Sequence, residues 1–555
     1  MKKISKLMCL AIALLMLLSA TACGGGTQKP AAADDKKSTS TDTTAPSSGD
    51  QGKNADSGEK KYDEHITITY ASVQGIDGYD YTKGDGLARY YSEKFNYTLE
   101  VTALTWSNWD EMLRIWINAG DMPDVAVYNY KHPDAASYVE QGLIYRLPDD
   151  WKKRWPGVAD VYSKTTLGPK TDELFGGTYF LPRARFYKNL IGDPLPNHWS
   201  LWMRKDWAEA VGFPVKSHYK ISEVLEFCRL VKEKDPGNVG ANLLPLNADP
   251  GAAVRMFVQS NSTYFNSFYK DPADGKYKWG AASEDTLEGL KLFSKAYREG
   301  LLDPDFYTVK AEDSGAPFDT QGISAANYNQ APTSDLHNKY VTLFQTNTGL
   351  DPFECINLAT VLGEDGYYHQ QDLINFWGTI IFSPDIKDKV FERYMDILEY
   401  NSTEEAQIIL NMGLKDEDWT YGPDGKVVSL YDDSERPLYG TSGKYPSWGY
   451  LLGAIVLFDD FSFDNPNYDQ RVRDISWKIY RERCEIATPQ TFTKVDWTVY
   501  THDSPSMRRA SIDYWTELSN LVTMDGDIET NWKNWVQSKM PLIQPVLDEL
   551  NAKAK

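Results

Sequence analysis

The sequence predicts a mixed α/β protein that folds as two lobes. Strand and helix signals alternate along the chain, starting with a β-rich run at 66–70 and a buried strand at 124–128. An amphipathic helix between them gives the order strand, helix, strand, which is typical of a parallel sheet. Beyond an N-terminal segment of 60 residues, the remaining roughly 495 residues exceed what one hydrophobic core usually organises, so we expect two cores.

The helix between these strands is predicted from the spacing of its apolar residues. They recur at i, i+3, i+4, i+7 and i+8, at Trp109, Met112, Leu113, Trp116 and Ile117. Ser107 is the predicted N-cap, and Gly120 is the predicted end of the helix. Further helices are predicted over residues 222–234, 283–298 and 384–400. Cys228 falls on the apolar face of the first of these, where we expect it to pack as a small hydrophobic residue.

The first 23 residues have the pattern of an export signal. A cationic start is followed by an apolar run at 7–18, small residues and Cys23. The pattern resembles a bacterial lipoprotein signal, in which the cysteine is acylated and becomes the first mature residue. Ala20 stands where such signals usually carry leucine, so cleavage elsewhere with an unmodified cysteine stays open. We expect a signal peptide at 1–22, lipidation (palmitate) at Cys23, and a protein anchored on the outer face of the cell membrane.

The segment that follows is predicted to be a disordered tether. Residues 23–60 carry no aromatic and almost no large apolar residue, so they cannot bury enough surface to offset the entropy of ordering. A flexible coil of this length spans roughly 35 Å. No later apolar run reaches the roughly 18 residues of a membrane helix, so the membrane contact expected is the lipid anchor alone.

The charge and the sequence motifs argue against several classes of function. Removal of the three lysines of the signal takes the formal net charge from −21 to −24, which repels nucleic acid. No metalloprotease, nucleophile-elbow, P-loop or dinucleotide motif occurs. The seven histidines and the three cysteines after residue 23 are scattered without metal-ligand spacing. An enzyme is therefore not expected, although a glycosidase that uses two distant carboxylates stays open.

Aromatic residues are the informative part of the composition. The chain has 17 Trp, 35 Tyr and 21 Phe. Many of them serve a core, but Trp and Tyr also carry a polar tip on a flat apolar face, which suits binding surfaces. In an exported protein, such an excess favours sugar binding.

Several short segments, in the right order, resemble family 1 extracellular solute-binding proteins. The first is Gly-Asp-Met-Pro-Asp-Val at 120–125, directly after an amphipathic helix. The others lie at 179–183 (Tyr-Phe-Leu-Pro-Arg), 203–207 (Met-Arg-Lys-Asp-Trp), 234–237 (Lys-Asp-Pro-Gly), 274–277 (Asp-Gly-Lys-Tyr) and 298–305 (Arg-Glu-Gly-Leu-Leu-Asp-Pro-Asp). Together they cover roughly residues 62–310, and they look like the long, lipid-anchored carbohydrate-binding members of the family.

The resemblance implies a periplasmic-binding-protein type II clamshell. Each lobe would be a mixed sheet flanked by helices, and each would be discontinuous in the sequence. We expect lobe 1 at 61–183 and about 370–445, and lobe 2 at 184–369 and about 446–555. Family members deliver oligosaccharides to the permeases of ABC transporters, and we expect a monomer. The alternatives are an oligopeptide-binding lipoprotein, a surface-displayed glycan-acting enzyme and a sensory partner of a membrane kinase.

The chain departs from the family in one loop. Relatives often carry a calcium-binding Asp-Pro-Asp-Gly-Asn-Gly pattern where this chain has residues 235–242. Val239 and Ala241 displace oxygen ligands there, and Ca²⁺ prefers six to eight oxygens. The residues favour no cofactor, and a bound calcium stays open.

Residues that follow predicted strands are candidate ligand contacts, because ligands of open α/β sheets sit beyond the carboxyl ends of strands. Tyr128 and Asn129 close the strand at 124–128, and Asp77 and Asp80 lie in the loop after the first strand. Arg183 and Arg185 flank the segment where the resemblance places the first crossing between lobes. Their guanidinium groups can hold sugar hydroxyls or a uronate carboxylate, and an ion pair between lobes would explain them equally well.

Tryptophans beside glycines form a second group of candidates. Trp377 precedes Gly378, and Trp448 precedes Gly449 and Tyr450. Glycine allows close backbone approach, and an indole can cover the C–H face of a pyranose. Trp106 precedes the predicted helix cap and can reach the cleft, whereas Trp109 lies on the apolar stripe and is expected in the core. A plug at a hinge or a cap on the core would explain the same residues.

Overall fold

The alternation predicted from the sequence is present in the computed structural model. The structure describes residues 62–554 apart from residues 74–79, 81–82, 186–195, 373–374, 432–437, 440–442, 448–455 and 458–464. In these ranges, no helix is both long and apolar enough to cross a membrane.

The strands within these ranges are numbered in chain order. They are β1 (Ile66–Ser72), β2 (Tyr97–Ala103), β3 (Val125–Tyr128), β4 (Leu181–Arg185), β5 (Trp199–Arg204), β6 (His218–Lys220), β7 (Phe268–Lys270), β8 (Tyr277–Trp279), β9 (Ala326–Gln330), β10 (Ile356–Leu362), β11 (Gln370–Asp372), β12 (Phe376–Phe382), β13 (Trp419–Tyr421), β14 (Val427–Ser429), β15 (Val456–Leu457) and β16 (Phe492–Lys494).

The α-helices of the same ranges surround these strands. They span Gly86–Phe95, Trp109–Ala119, Asp134–Glu140, Trp151–Arg154, Pro156–Lys164, Leu167–Phe175, Lys205–Val211, Ile221–Lys234, Pro250–Val254, Glu284–Arg298, Ala316–Asp319, Thr333–Leu336, Gln345–Thr348, Pro352–Cys355, Asp388–Asn401, Glu404–Met412, Gln470–Ile486, Trp497–Tyr500, Pro505–Arg509, Tyr514–Thr523 and Ile528–Lys553. Two π-helical turns, Arg255–Gln259 and His337–Phe344, continue the helices that precede them.

The first sheet has six strands in the order β15-β4-β12-β3-β1-β2. β1 pairs in parallel with β2 and with β3, and β15 pairs in parallel with β4. β12 runs antiparallel to both β3 and β4, so it joins two parallel groups into one mixed sheet. Since β12 is separated from β4 by the whole second sheet in the sequence, this lobe is discontinuous.

The second sheet has four strands in the order β6-β10-β5-β9. β10 pairs in parallel with β6, and β5 runs antiparallel to both β10 and β9. Side chains of β5 alternate between the faces of the sheet, as the period of a strand requires. Leu201 and Met203 lie in one large hydrophobic cluster, whereas Trp202 between them lies in a smaller cluster with Tyr340.

Two separate hydrophobic cores accompany the two sheets. The first core draws on buried residues from Ile66 to Ala184 and again from Phe376 to Tyr445. The second draws on residues from Leu201 to Val361 and again from Val499 to Leu550. The predicted α/β architecture of two lobes, each with a mixed sheet and each discontinuous in the sequence, is confirmed. The residue boundaries given for the lobes stay predictions.

The predicted order of strand, helix and strand near the N-terminal end of the fold is confirmed, with one correction. The helix is Trp109–Ala119, and Gly120 ends it with φ +75°. The prediction that Ser107 caps this helix is wrong. Asn108 precedes the first turn without a side-chain cap, and the Ser107 hydroxyl donates instead to Glu312 Oε2 at 3.2 Å. The helix begins at Trp109, so Ser107 lies one position too early to be its N-cap.

The three later helices form where apolar periodicity predicts them. Ser283 caps Glu284–Arg298, since its hydroxyl accepts a hydrogen bond from Thr286 N at 3.2 Å. Asp388–Asn401 begins four residues later than predicted, because Ser383 and the residues after it form a turn closed by Ile386 N to Ser383 O. Cys228 is fully buried, and burial raises the pKa of its thiol to about 12, as expected for a residue that only packs.

Arg483 links strands β5 and β10 of the second sheet through hydrogen bonds. Its side chain is buried, and it donates to Asn197 O, Trp199 O, Ser200 Oγ and Thr360 Oγ1 at 2.5 to 2.9 Å. These acceptors belong to the start of β5 and to β10, so one side chain of the helix Gln470–Ile486 joins two strands.

Candidate ligand-binding site

One edge of the first sheet collects most of the predicted site residues that the structure describes. β1, β3 and β4 all end at this edge, and the antiparallel β12 begins there. Trp106 follows β2, Asn129 follows β3, and Trp377 is the second residue of β12. Because ligands of α/β sheets bind beyond the carboxyl ends of strands, this edge is the position to expect for a site.

Three tryptophans contact one another at this edge. The ring centroids of Trp106 and Trp377 are 5.6 Å apart, and those of Trp109 and Trp377 are 5.4 Å apart. Trp109 is buried, as predicted, and its Nε1 donates to Val127 O at 2.7 Å. Trp106 is 48% exposed. The cluster therefore presents one open indole that is supported from behind by two others.

Gly378 allows Trp377 to approach the neighbouring strand. Its φ is +64°, and a Cβ at this position would lie 3.2 Å from the Tyr128 carbonyl oxygen. The register of β12 against β4 shifts between Phe376 and Thr379, at the same place. The glycine beside Trp377 therefore has the role that the sequence predicts, which is close backbone approach.

Arg183 lies behind this tryptophan rather than in solvent. The side chain is fully buried, and its guanidinium carbon is 4.5 Å from the ring centroid of Trp377. Burial lowers the pKa of Arg183 to about 10, although the nearby hydroxyls of Tyr70 and Tyr394 act in the opposite direction. Its position supports Trp377 by a cation–π contact. A direct ligand contact from Arg183 stays a prediction that this burial disfavours.

Tyr128 and Asn129 differ in how they are placed. Tyr128 is only 6% exposed, and its ring packs against Tyr138 and Phe180 in the first core. Asn129 is partly buried, and its side-chain amide donates to Asp110 Oδ1 at 3.0 Å. Ligand contacts from both stay predictions, and the packing favours Asn129 over the ring of Tyr128.

Other predicted site residues lie outside the described part. Asp77, Trp448, Tyr450 and Cys23 are not described, and neither is the side chain of Arg185, whose backbone ends β4. Asp80 is described: its carboxylate forms an exposed ion pair with Lys83 at 2.8 Å.

The second sheet carries an aromatic group that the sequence analysis missed. Trp199 begins β5, and its ring stacks on that of Tyr328 with centroids 5.8 Å apart. The guanidinium carbon of Arg255 lies 4.9 Å from the Trp199 ring centroid and 4.5 Å from that of Trp515. These residues come from distant parts of the chain, and no short sequence motif predicts that they lie together.

The two lobes touch beside the exposed indole. Ser107, next to Trp106 in the first lobe, donates to the carboxylate of Glu312. Glu312 belongs to the second lobe, since it falls in the sequence between Phe306 and Ala325 of the second core. The first lobe's Glu140 also pairs with Arg508 at 3.0 Å, and Tyr130 stacks on Tyr500 with ring centroids 6.0 Å apart. The aromatic edges of the two sheets therefore belong to lobes that are in direct contact.

Comparison with known proteins identifies the fold. No protein-family model matches the chain. The alginate-binding protein AlgQ2, solved without calcium ion, superposes with a TM-score of 0.63 at 17% identity, over 89% of this chain and 98% of that one. The chain has the solute-binding-protein fold. The resemblance found in the sequence is thereby confirmed at the level of the fold.

Two further similar proteins are a solved structure and a curated sequence relative. The S. pneumoniae ABC-transporter substrate binding protein FusA, as an EF-hand mutant in complex with fructo-nystose, gives a TM-score of 0.61 at 14% identity over 88% of this chain and 98% of that one. Lipoprotein LipO of Bacillus subtilis (strain 168) is 21% identical over 414 residues, which cover 71% of this chain and 73% of LipO.

The loop that corresponds to the family's calcium pattern offers few side-chain oxygens for a calcium ion, because Val239 and Ala241 stand where that pattern carries polar residues. Both carboxylate oxygens of Asp235 accept backbone hydrogen bonds within the loop, from Val239 N at 2.9 Å and from Gly240 N at 2.7 Å. Among the described residues, no group of three or more His, Cys, Asp or Glu side chains is placed to hold a metal. These bonds close the turn, and with Val239 and Ala241 in the loop too few side-chain oxygens remain for the six to eight that Ca²⁺ prefers.

We expect the stability of the protein to be independent of calcium. A millimolar ligand that binds with micromolar affinity would stabilise the folded state by about 4 kcal/mol and raise the Tm by several degrees. Thermal melts in EDTA and in about 1 mM CaCl₂ should therefore coincide. Asp235→Ala should lower the Tm equally in both buffers, since it removes the acceptor of two backbone N–H groups. A melt that shifts upward with calcium would contradict this.

Proposed function

We propose that the protein captures an oligosaccharide between its two lobes and delivers it, chemically unchanged, to the permeases of an ABC importer. The observation that carries the proposal is the exposed indole of Trp106, supported by Trp109 and Trp377 at the carboxyl edge of a sheet in a solute-binding-protein fold. An indole face buries the C–H face of a pyranose, and about 100 Å² of apolar surface contributes roughly 2.5 kcal/mol.

The arrangement of two lobes supplies the mechanism. A ligand that contacts the first sheet's edge and the second sheet's edge together does so only when the lobes are closed. It therefore shifts the equilibrium towards the closed form by its differential affinity for that form. Closure is the signal that a permease can recognise, and the bound sugar needs no chemical step.

The names of similar proteins agree with this proposal. AlgQ2 is described as alginate-binding, and FusA as an ABC-transporter substrate binding protein. LipO is described as a lipoprotein, which agrees with a proposed lipid anchor at Cys23 on the outer face of the membrane. We propose that the protein acts without a metal or other cofactor and as a monomer.

Calorimetric titration of the mature protein against a panel of oligosaccharides tests the proposal. We expect micromolar binding, about −8 kcal/mol, for at least one glycan class. Recovery of the same glycan uncut after several hours is expected for a binding protein, whereas cleavage products would support a glycan-acting enzyme. Heat released by oligopeptides alone would support the peptide-binding alternative. The absence of binding to every saccharide would overturn the proposal.

A further inference from the structure

Arg255 lies at the ligand-facing edge of the second sheet. β9 ends at Gln330, which pairs with Trp199 at the start of the antiparallel β5, so both residues stand at one edge. Asn247 forms a parallel bridge with Asn327 of β9, so the chain around Asn247 runs in the direction of β9 and towards the same edge. The helix Pro250–Val254 and the turn with Arg255 follow within a few residues. This edge is where α/β sheets place their ligands.

The guanidinium group is held between two indoles. Its carbon lies within 5 Å of the ring centroids of both Trp199 and Trp515, and Nη1 donates to Gln259 Oε1 at 3.2 Å. Arg255 and Gln259 begin and end a π-helical turn, an irregularity that is frequent at functional sites. Stacking on aromatic faces leaves the edge of a guanidinium group free to donate, and this planar fork matches a carboxylate.

The charge of Arg255 has no counter-ion in the described part of the chain. No Asp or Glu of that part lies within ion-pair distance of it. Asp249 is the carboxylate that acts on it electrostatically, but its Oδ1 accepts from Ala252 N at 3.0 Å and so caps the following helix. Burial lowers the pKa of Arg255, which reflects the cost of a partly desolvated charge. A partly buried cation without a counter-ion is costly, and a carboxylate that binds with the ligand offsets that cost.

We propose that the oligosaccharide is acidic, and that Arg255 binds the carboxylate of a uronate or similar sugar residue stacked near Trp199 and Trp515. This inference rests on the proposed function and specifies its substrate class. The negative net charge of the protein does not prevent an acidic sugar from binding at Arg255. Salt screens charges more than about 8 Å away, so the nearby guanidinium group dominates the local potential. Arg255 is thus a residue that determines specificity, and it takes no part in any chemical step.

Matched acidic and uncharged ligands test the inference. The panel contains tetrasaccharides of galacturonate, mannuronate, guluronate and hyaluronan, the methyl ester of each, and neutral xylo-, manno-, malto- and fructo-oligosaccharides. We expect the tightest ligand to be a free acid that binds at least about tenfold more tightly than its methyl ester, a ratio typical of one charged hydrogen-bonding contact. We also expect this preference to weaken as salt rises.

Variants of the mature protein separate recognition from folding. Arg255→Gln should lower the affinity for the free acid about 10- to 100-fold and leave that for the methyl ester within about threefold. Arg255→Lys should be intermediate, because lysine keeps the charge and loses the fork. The control is Arg154→Gln in the first lobe, which also removes a guanidinium group stacked on an indole, that of Trp155, and should change neither affinity.

Each outcome bears on a different statement. If a neutral glycan or a methyl ester is the tightest ligand, this inference is overturned and the proposed function stands. If Arg255→Gln weakens acid and ester equally, Arg255 only supports the two tryptophans and the inference is again overturned. If no saccharide of the panel binds, the proposed function fails, and this inference fails with it.

Discussion

Replacement of Arg483 by methionine should lower the free energy of unfolding by about 3 to 5 kcal/mol, because several buried acceptors lose a charged donor at about 1 to 3 kcal/mol each. The guanidinium group donates to two backbone carbonyls and two hydroxyls at the start of β5 and in β10. Methionine fills a similar volume but leaves these acceptors without a donor. The midpoint and slope of urea unfolding, followed by far-UV circular dichroism, measure the change.

Arg481 on the same helix provides the control for this variant. Its side chain is exposed, so Arg481→Met should change stability by less than about 0.5 kcal/mol. A loss below about 1 kcal/mol in Arg483→Met would show that water replaces the guanidinium group at no cost, and that this side chain does not join β5 to β10.

Truncation of Trp106 to alanine should weaken oligosaccharide binding about 70-fold, which corresponds to the roughly 2.5 kcal/mol of a stacked pyranose. The side chain is already 48% exposed, so the variant should fold with a nearly unchanged Tm. Calorimetric titration with the tightest ligand of the panel measures the loss, and thermal melts confirm the fold.

Tyr421 is a matched control for Trp106. It is an aromatic residue of similar exposure on the separate β13–β14 hairpin, and Tyr421→Ala should leave affinity unchanged. Equal affinity in the Trp106→Ala variant and the original protein would remove this indole from the site. The proposed function would then lose the observation on which it depends.

Local sequence patterns predicted those helices that are determined by the spacing of their own apolar residues. The helix Trp109–Ala119 follows from its apolar spacing, and Glu284–Arg298 lies where a helix is predicted at 283–298. Ser107 is not the cap because the helix begins only after Asn108, and its hydroxyl contacts Glu312 of the other lobe, which no local window contains. The helix Gly86–Phe95 and strand β2 were missed, although Asp85 does cap that helix by accepting from Ala88 N at 2.9 Å.

Candidate site residues could be chosen from the sequence only where a local signal marks them. Asn129 follows a predicted strand, Trp106 precedes a predicted helix cap and Trp377 precedes a glycine, and ligand contacts from all three stay predictions. Trp199 and Arg255 were missed because their importance comes from stacking that involves Trp515, far along the chain. Arg183 was found as a charge near a crossing, but only the packing shows that it stands behind Trp377.

The last long helix has a consequence for how the chain acquires its structure. Ile543, Val546 and Leu550 are fully buried in the same core as Leu201, which lies far earlier in the sequence. A polypeptide that emerges with its amino end first cannot assemble this half until nearly the whole molecule has been released. In the export proposed for this protein, such late completion would keep this half in the unstructured form that a translocation channel accepts.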